Sequence, residues 1–348
     1  MKTLTIGDVA ITSLIERDGP WRTPEVMFPA YDPEIGRSHL AELDPIVFDS
    51  ASGKMVITYQ TFVVRTPRRT VLIDTCTGED KGFPAPYDFP KQPWLDSLHA
   101  AGLRPKDITH VFCTHLHFDH TGWNTRLSDG RWTPTFPNAK YIFHKGEYER
   151  WEAITARGEL PPGLMAGALP GNSWSYNCRP VVEAGQALLV DDAFELDDNF
   201  TLIPTPGHSP CHCCVMIRSQ GQEAVVTGDL MHHALQCREP DWSTIFDFDP
   251  EQAAQSRRRL LSQVADTGVF VLPIHFPHPT VGRSPRMANA SATVSCGRRN
   301  ASSASLPLRP ICIGVQSSSA HNVIFRKKAE STSGRNLIKH RFEFLGKR

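Results

Sequence analysis

The sequence predicts an α/β fold in which two β-rich halves pack as a four-layer αββα sandwich. Three observations lead to this prediction. Strand-like segments precede helix-like segments twice along the chain. Side chains of metal-binding type follow strand-like segments in both halves. A stretch rich in proline and glycine, residues 161–180, separates the two halves. We therefore expect a site at the strand ends, in the cleft between the halves.

The first half begins with a predicted β-hairpin over residues 3–15, where apolar and polar residues alternate around a Gly-Asp turn. Residues 17–50 are rich in proline, aspartate and aromatic residues and show no periodicity, so they predict a long irregular loop. Two interpretations of this loop stay open, a lid over the site and a surface loop held on the core by its aromatic side chains. Further strands are predicted over 55–65 and 70–75, and a helix over 90–101.

The remaining elements follow from short apolar runs and from helix-start signals. Asp249 and Pro250 are typical of an N-cap and a first helical position, so they predict a helix over 249–268. A second helix is predicted over 146–157. Strands are predicted over 108–113, 139–144, 180–183, 187–190, 200–204, 213–218, 224–229 and 269–274.

The composition is that of an ordinary globular protein, with 348 residues, 40% hydrophobic and 21% charged residues and a formal net charge of zero. The charge is unevenly distributed. Residues 283–348 contain 13 lysines and arginines against 2 acidic residues, whereas residues 1–282 contain 24 against 35. We therefore predict a folded domain over 1–282 and a basic, Ser/Arg-rich segment over 283–348. This segment is interpreted as disordered, as the product of an altered reading frame, or as a nucleic-acid-binding appendage, with disorder the default.

A cytoplasmic location is predicted from three features. The N-terminus has no apolar signal region. No run approaches the ~18 apolar residues that span a bilayer, so no membrane partner is expected. Nine cysteines, an odd number without framework spacing, favour a reducing compartment.

The densest group of metal-binding side chains lies in the six residues from His115 to His120, which contain three histidines and one aspartate. Imidazole nitrogens and carboxylate oxygens suit Zn²⁺ and related ions. Alternate residues of an extended segment point to the same side. We therefore expect His115, His117 and Asp119 to converge on one point and His120 to face a second. Such a pattern favours two adjacent metal ions.

The pattern His115-x-His117-x-Asp119-His120 resembles the signature of the metallo-β-lactamase-fold hydrolases. Three further residues match the family's remaining ligands. They are His208 in a Pro-Gly-His turn, Asp229 at the end of an apolar strand, and His275 after another such strand. The resemblance covers about residues 1–283 and implies a metallo-β-lactamase sandwich. It also implies two ligand sets: His115, His117 and His208 for one metal, Asp119, His120 and His275 for the other, and Asp229 bridging both.

The resemblance implies a dinuclear metal-dependent hydrolase in which a hydroxide that bridges the metals attacks the carbonyl of a small ester or lactone. The expected cofactor is a pair of divalent ions, Zn²⁺ first, with iron or manganese as alternatives. The motif favours the lactonase, arylesterase and glyoxalase II side of the family. Phosphotriester hydrolysis, as in parathion-hydrolase relatives, and β-lactam hydrolysis are alternatives on the same site. A nuclease or RNA-processing factor is the third possibility, without the extra domain that such nucleases carry.

Two residues are predicted to act on the substrate or on protons. Asp119 is expected to handle a proton in addition to, or instead of, serving purely as a ligand. Lactonases of this family carry a tyrosine three residues after the bridging aspartate, and His232 stands there in this chain. His232 either donates a hydrogen bond to the substrate carbonyl or merely lines the cleft. Trp123-Asn124 stands where typical lactonases have Gly-Asn, which argues against the lactonase assignment in particular.

Several other residues receive supporting or structural interpretations. Asp74, at a strand end, is predicted to accept a hydrogen bond from a ligand histidine. His212 is interpreted as a supporting histidine behind the ligands. Cys211, Cys213 and Cys214 are interpreted as structural residues on a core strand, with metal binding as the alternative. A small-molecule substrate is the expected partner, nucleic acid is not expected, and a homodimer is left open.

Overall fold

The computed structural model describes residues 3–83, 89–158 and 173–284, together with the backbone of residues 309–314 and 341–346. The first half of the chain forms one large sheet and a separate hairpin. The large sheet has the order β1-β2-β4-β5-β6-β9-β10, with β3 beside β4, and β7 and β8 form the hairpin. These strands are β1 (Leu4–Ile6), β2 (Val9–Arg22), β3 (Phe48–Asp49), β4 (Lys54–Arg65), β5 (Thr70–Ile73), β6 (His110–Phe112), β7 (Thr125–Ser128), β8 (Arg131–Pro134), β9 (Lys140–His144) and β10 (Ala187–Val190).

The second half forms a second sheet of the order β11-β12-β13-β14-β15-β16-β18-β17. Its strands are β11 (Glu195–Asp197), β12 (Phe200–Pro204), β13 (Cys213–Ser219), β14 (Gln222–Val226), β15 (Phe270–Leu272), β16 (Gly282–Arg283), β17 (Arg309–Gly314) and β18 (Arg341–Gly346). The strands β5, β6, β9 and β10 run parallel in the first sheet, and β14 and β15 run parallel in the second.

The helices are mostly short, and α5 and α9 are the longest of those described. They are α1 (Pro24–Met27), α2 (Pro33–Glu42), α3 (Trp94–Ala100), α4 (Phe118–Thr121), α5 (Lys145–Arg157), α6 (Ser173–Asn177), α7 (Arg179–Glu183), α8 (Leu235–Arg238) and α9 (Pro250–Val264). Short 3-10 helices cover Pro45–Val47, Pro105–Asp107, Gly122–Asn124 and Gly228–Leu230. None of the helices in the described ranges is long and apolar enough to cross a membrane.

Three clusters of buried apolar side chains separate four layers. In β13, Cys213, Val215 and Ile217 face the space between the two sheets, where they pack with residues of the first sheet. The alternate residues Cys214 and Met216 face the other side, in the cluster that also contains residues of α9. A third cluster joins the outer face of the first sheet to α3 and α5. The predicted αββα sandwich is therefore confirmed. Alternate side chains of β13 face opposite sides of the sheet, so this one strand packs against two layers.

Two predictions about elements are wrong. Residues 17–50 are not one irregular loop, because β2 continues to Arg22 and α2 forms at Pro33. The Asp32 carboxylate accepts hydrogen bonds from the first backbone N–H groups of α2, and Pro33 occupies the first turn, which is a regular helix start. Residues 180–183 are helical, in α7, and not a strand. Pro180 stands in the first turn of this helix, where its fixed φ and missing N–H suit the helix start.

Of the two open interpretations of residues 17–50, the structure supports a segment held on the core by its apolar and aromatic side chains, and the lid stays a prediction. Met27 and Phe28 are fully buried in the core, as expected of a segment held down by its apolar side chains. Tyr31 packs edge-on against Trp242, with ring centroids 5.0 Å apart. Trp21, by contrast, contacts rings that lead to the site described below.

Several predicted boundaries differ from the observed ones, and part of the chain lies outside the description. The helix predicted over 90–101 begins at Trp94, and the helix predicted over 249–268 ends at Val264. Of the predicted crossover 161–180, residues 161–172 lie outside the described part of the chain. Within 283–348, β18 pairs antiparallel with β16 and with β17. The rest of that segment after Ser284 is also outside the description.

Candidate metal centre

The histidines and aspartates singled out from the sequence lie at one edge of the sandwich, where strands of both sheets end. His115 follows β6 and Asp229 follows β14. His275 follows β15, and His208 lies in the turn between β12 and β13. Since β6, β14 and β15 belong to parallel pairs, their carboxyl ends meet at the cleft between the sheets, where ligands usually bind in α/β folds.

The local backbone corrects the predicted grouping of the first ligands. After His117 the chain does not stay extended but turns into α4, which contains Asp119 and His120. A helical step of about 100° replaces the strand alternation on which the prediction rested. Asp119 therefore groups with His120 and not with His115 and His117. This grouping is the one that the family resemblance implies.

Two groups of possible ligand atoms share one carboxylate. Within each group the atoms all lie within 4.8 Å of one another. The groups are His115, His117, His208 and Asp229, and Asp119, His120, Asp229 and His275.

The two oxygens of Asp229 are divided between the groups. Oδ2 lies 3.0 Å from Nε2 of His208 and 3.7 Å from Nε2 of His115. Oδ1 lies 3.0 Å from Nε2 of His120 and 2.9 Å from Nε2 of His275. Asp229 therefore stands between the two groups, with one oxygen toward each.

The chemistry of these atoms fits cations rather than a hydrogen-bonded polar cluster. Nε2 of His115, Nε2 of His120 and Oδ1 of Asp229 are buried and have no hydrogen-bond partner. Buried polar atoms are normally hydrogen-bonded, so unpaired ones need an explanation. Imidazole nitrogens and carboxylate oxygens that converge on common points are the donor set of transition-metal sites. The two groups thus have the chemistry to hold divalent metal ions.

The other nitrogen of three of these histidines is held by the surrounding protein. Nδ1 of His120 lies 2.8 Å from Oδ2 of Asp74, and Nδ1 of His208 lies 2.9 Å from Oδ1 of Asp247. Nδ1 of His275 lies 2.8 Å from the carbonyl oxygen of Thr58. Such contacts fix the tautomer and the orientation of the ring, which leaves Nε2 free to ligate. The hydrogen bond to Asp74 is the one predicted from the sequence. Asp247 was missed, because it stands 39 residues after His208 in no recognisable motif.

Asp74 itself has an unusual backbone. Its φ is +56°, in the left-handed region that residues other than glycine seldom adopt. Its carboxylate accepts hydrogen bonds from the backbone N–H and the hydroxyl of Thr114, both at 2.8 Å. Backbone strain of this kind is characteristic of functional sites, where the surrounding contacts hold it in place. Here it lets one carboxylate orient both Thr114 and His120.

The charges of the site are strongly coupled. Burial raises the pKa of Asp229, but the surrounding histidines, His120 foremost, outweigh it and hold this pKa well below its usual range. Burial lowers the pKa of His208, yet the carboxylates of Asp229 and Asp247 outweigh it and raise this pKa to about 9. Asp229 is thus an anion among imidazoles, and cation binding there is expected to release protons.

His212 lies behind the ligands, as predicted. Its Nε2 accepts a hydrogen bond of 3.0 Å from the backbone N–H of Asp229, and its Nδ1 lies 2.8 Å from the Thr205 hydroxyl. Burial lowers the pKa of His212 to about 3, so the ring is neutral and can act as an acceptor. Gly228 (φ +49°) leaves the space for this ring, since a Cβ there would lie 2.6 Å from His212 Nε2.

Glu16 on β2 supports the loop of the first ligands from the other side. Its buried carboxylate accepts hydrogen bonds from the backbone N–H groups of Thr77 and Gly78, each 3.0 Å, and from Trp123 Nε1 at 2.8 Å. Trp123 follows Gly122, whose Cβ position would lie 2.0 Å from the Thr77 backbone, so only glycine fits there. Trp123, which stands where typical lactonases have glycine, therefore has a buried hydrogen-bond partner in Glu16. Sequence analysis did not predict this partner.

His232 contacts the shared carboxylate. Its Nε2 lies 3.1 Å from Oδ2 of Asp229, and its Nδ1 is buried without a hydrogen-bond partner. The ring stacks on His275 at 5.2 Å and on Phe246 at 6.2 Å. Burial lowers the pKa of His232, which favours a neutral ring that can still donate one N–H. His232 therefore lies in the cleft next to both groups.

The cysteines near His208 do not extend the site. Cys213 and Cys214 are buried on β13, as their interpretation as core residues predicts. Cys213 does lie near His144 and Asp192, at distances that could suit a metal. However, Nδ1 of His144 accepts a hydrogen bond from the Gly146 backbone N–H. The proton is then on Nε2, which donates to Asp192 at 3.0 Å and is not free to ligate.

A four-layer αββα sandwich with His/Asp groups suited to divalent metal ions at its strand ends defines a class of metalloproteins. Comparison with known families gives the same result, since residues 57–275 match the family model of the metallo-beta-lactamase superfamily. The chain belongs to the metallo-beta-lactamase superfamily.

Individual relatives match shorter segments. N-acyl homoserine lactonase AttM of Agrobacterium fabrum is 33% identical over 128 residues, which is 36% of this chain and 41% of that protein. An N-acyl homoserine lactonase of Bacillus cereus is 28% identical over 165 residues, 47% of this chain and 54% of that protein. The matched segments thus span from about two fifths to about half of the length of these curated relatives.

Solved structures share the fold over most of the chain. The hydrolase AbOPH of the beta lactamase superfamily has a TM-score of 0.69 at 23% identity, over 82% of this chain and 93% of that one. AidC, a dizinc quorum-quenching lactonase, has a TM-score of 0.66 at 22% identity, over 86% of this chain and 98% of that one. At such identities the likeness supports the fold alone.

Proposed function

We propose that this chain is a dinuclear metal-dependent hydrolase that cleaves a small ester or lactone at its carbonyl. The observation that carries the proposal is the division of Asp229, one oxygen toward each group of ligand atoms. A carboxylate so placed suits two cations held side by side. In this proposal His115, His117 and His208 would hold one metal, Asp119, His120 and His275 would hold the other, and Asp229 would offer one oxygen to each.

Zinc is the proposed metal. The donor set consists of imidazoles and carboxylates without thiolate, a combination that zinc accepts readily. Two divalent cations, when bound, would lower the pKa of a water between them and polarise the substrate carbonyl.

Asp119 and His232 are proposed as the residues that act beside the metals. The Asp119 side chain is 13% exposed, more than that of any other residue in the two groups, so it faces the cleft. It can take up a proton there and return it to the departing alkoxide oxygen. His232 is neutral and can direct an N–H toward a substrate oxygen in the same cleft. The N-acyl homoserine lactonases among the relatives support a lactone carbonyl as the target.

Two wider features belong to the same proposal. The hydrolase domain comprises residues 1–282, which contain every residue assigned above. The seven cysteines within residues 3–83, 89–158 and 173–284 are all free, which supports work in the reducing cytoplasm.

The test combines metal analysis with a substrate panel. The purified protein is expected to hold two metal ions per chain by elemental analysis. It should hydrolyse lactones or aryl esters faster than phosphotriesters or a cephalosporin. Asp229→Asn should lower the metal content and reduce kcat/KM by more than ~100-fold, because the metals supply several kcal/mol of transition-state stabilisation.

Asp192→Asn is the matched control. It removes a carboxylate from the neighbouring His/Cys group, whose histidine is not free to ligate, so metal content and turnover should stay as in the wild type. Full turnover in Asp229→Asn, or a wild-type preference for the phosphotriester, would contradict the proposed function.

A further inference from the structure

A row of stacked rings runs outward from the candidate metal centre. His275 stacks on His232 with 5.2 Å between ring centroids and 14° between ring planes. His232 stacks on Phe246 at 6.2 Å and 30°, and Phe246 stacks on Trp21 at 6.1 Å and 21°. The row forms a continuous aromatic wall that begins at a proposed ligand and ends at the half-buried Trp21.

Arg22 lies at the outer end of this wall. Its guanidinium carbon is 4.3 Å from the Trp21 ring centroid and 5.3 Å from that of Phe246. The Arg22 side chain makes no hydrogen bond or ion pair with the described part of the chain, and its Nε is buried without a partner. Rings attract a guanidinium, but they do not satisfy its N–H groups or neutralise its charge. A half-buried cation of this kind lacks the anion that such a position normally has.

Arg17 on the same strand offers a comparison, because its Nε is likewise buried without a hydrogen-bond partner but its guanidinium has a carboxylate and a hydroxyl beside it. Its guanidinium also lies over a ring, 4.0 Å from the centroid of Phe89. It donates a hydrogen bond of 3.1 Å to the Thr77 hydroxyl and lies 3.5 Å from the Glu16 carboxylate. Arg17 therefore has partners within the protein, whereas Arg22 has only the two rings.

An irregularity in β2 places Trp21 and Arg22 at this position. Pro20 pairs with Val56 and Arg22 pairs with the adjacent Met55, so Trp21 is an extra residue in the ladder. A bulge of this kind re-aims the side chains around it and occurs often beside active sites. Trp21 can therefore join the ring row while Arg22 lies against its outer end.

We propose that Arg22 forms an anion-binding subsite, so that the preferred substrate is an ester or lactone that also carries a carboxylate or similar anionic group. The apolar part of the substrate would lie along Trp21 and Phe246, and its anion would accept hydrogen bonds from the guanidinium fork. This inference rests on the proposed hydrolase function. It concerns a second anionic group on the substrate, separate from the carboxylate that hydrolysis creates at the scissile carbonyl.

The experiment uses 4-nitrophenyl esters of a short series of dicarboxylic acids. In each pair the far carboxyl group is either free or blocked as a methyl ester, so leaving group and scissile carbonyl are identical. The wild-type protein is expected to prefer the free acid in kcat/KM by about 10-fold or more at one chain length, and salt at about 0.5 M should weaken that preference. Arg22→Gln should bring the ratio close to one, a loss of about 10- to 100-fold for a charge-assisted hydrogen bond. Arg22→Lys should retain part of it.

Arg68→Gln is the matched control, because it removes the same charge from an exposed turn far from the ring row. It should keep the wild-type ratio. A ratio near one in the wild type at every chain length, or equal ratios in Arg22→Gln and Arg68→Gln, would overturn the subsite and leave the hydrolase function intact.

A binding measurement keeps the two hypotheses separable if no ester is turned over. The probe is 4-nitrobenzenesulfonate, an aromatic anion that is a poor metal ligand, and calorimetry gives its dissociation constant. Weaker binding to Arg22→Gln than to Arg68→Gln, by about 10-fold, would support the subsite even without hydrolysis. Equal binding to the two variants would refute it.

Discussion

His232 occupies the position at which the lactonases that this chain resembles carry a tyrosine. Tyrosine and neutral histidine each offer one hydrogen-bond donor on a flat ring. Histidine in place of tyrosine can therefore keep a donor here, at a different distance from the backbone. In this structure Nε2 of His232 points at Asp229 from 3.1 Å, and the ring is held by stacking on His275 and Phe246. The stacking therefore fixes the direction in which the His232 ring presents its nitrogens.

Substitutions at position 232 can separate donation from packing. His232→Phe keeps a ring in the stack and removes the donor, so kcat/KM for the ester or lactone should fall about 10- to 100-fold. His232→Tyr restores a donor and should recover much of the activity. Metals per chain, measured in all three proteins, should stay equal. If His232→Phe keeps full activity, or if its loss follows the metal content, the role as donor is wrong.

At the scale of residues, the polar side chains that directly follow strands could be predicted from the sequence. Side chains that reach the site from distant parts of the chain could not. His208, Asp229 and His275 stand directly after apolar runs or in a glycine turn, so their sequence context identifies them as candidate ligands. Asp247 is separated from His208 by the strands β13 and β14 and the helix α8, and a second aspartate, Asp249, stands two residues away. No spacing distinguishes the two, and only folding shows which one reaches the imidazole.

At the scale of elements, short strands with clear apolar runs were predicted more reliably than segments whose structure depends on capping. The predicted strands over 187–190 and 200–204 coincide with β10 and β12. The α2 helix was missed because aromatic and proline content suggested a loop, although Asp32 and Pro33 form a proper helix start. Local capping chemistry therefore held more information than the overall composition of this segment.

The loop between β5 and α3 is fastened to the β7–β8 hairpin by one buried lysine. Nζ of Lys81 donates hydrogen bonds to the Thr125 hydroxyl at 2.9 Å and to its carbonyl oxygen at 3.2 Å. It also lies 3.9 Å from the centroid of the Trp132 ring. Lys81 is only 6% exposed, and this burial lowers its pKa to about 7. The contact therefore depends on pH near neutrality.

This lysine should make stability rise with pH. The folded pKa is near 7 and the unfolded pKa is near its ordinary value of about 10.4. Between those values the unfolded chain holds a proton on Lys81 that the folded chain lacks, so raising the pH favours the folded state. The gain is at most about 1.4 kcal/mol per pH unit and disappears as the pH falls through 7.

Lys81→Met should remove that gain. The free energy of unfolding, measured in urea at pH 7 and pH 9, should rise less in Lys81→Met than in the wild type. Lys145→Met, at a half-exposed position on α5, should behave like the wild type. Other titrating groups, including the buried cysteines, contribute equally to all three proteins. The same change between pH 7 and 9 in wild type and Lys81→Met would refute the assignment.

At the scale of the whole molecule, the proposed dinuclear site joins the two halves of the sandwich. Four of the seven proposed ligands follow strands of the first sheet, and the other three follow strands of the second. Each half alone offers an incomplete set, so metal binding requires the sheets to be packed as they are. Ions that bind only the folded chain stabilise it in proportion to their affinity.

The last prediction concerns the proposed boundary of the hydrolase domain. The second sheet is joined to the basic C-terminal segment through β16, which is only two residues long. The backbone N–H of Asp266 donates to the carbonyl oxygen of Ser284 at 2.8 Å, which ties the end of the domain to the loop after α9. A chain that stops after Ser284 retains this contact and all seven proposed ligands. Its metal content should remain two per chain, and its kcat/KM should stay within about twofold of the full-length value.

A chain that stops after Gly268 provides the contrast, because it loses β15 and His275 and should bind less metal and lose activity. Elemental analysis and the ester assay on both truncated proteins decide the matter. Loss of metal after truncation at Ser284 would mean that the β17–β18 pair is part of the hydrolase fold. The domain would then extend past residue 282. In that case β16 would need its neighbour β18 to stay ordered, because an exposed strand edge has unpaired backbone N–H and C=O groups.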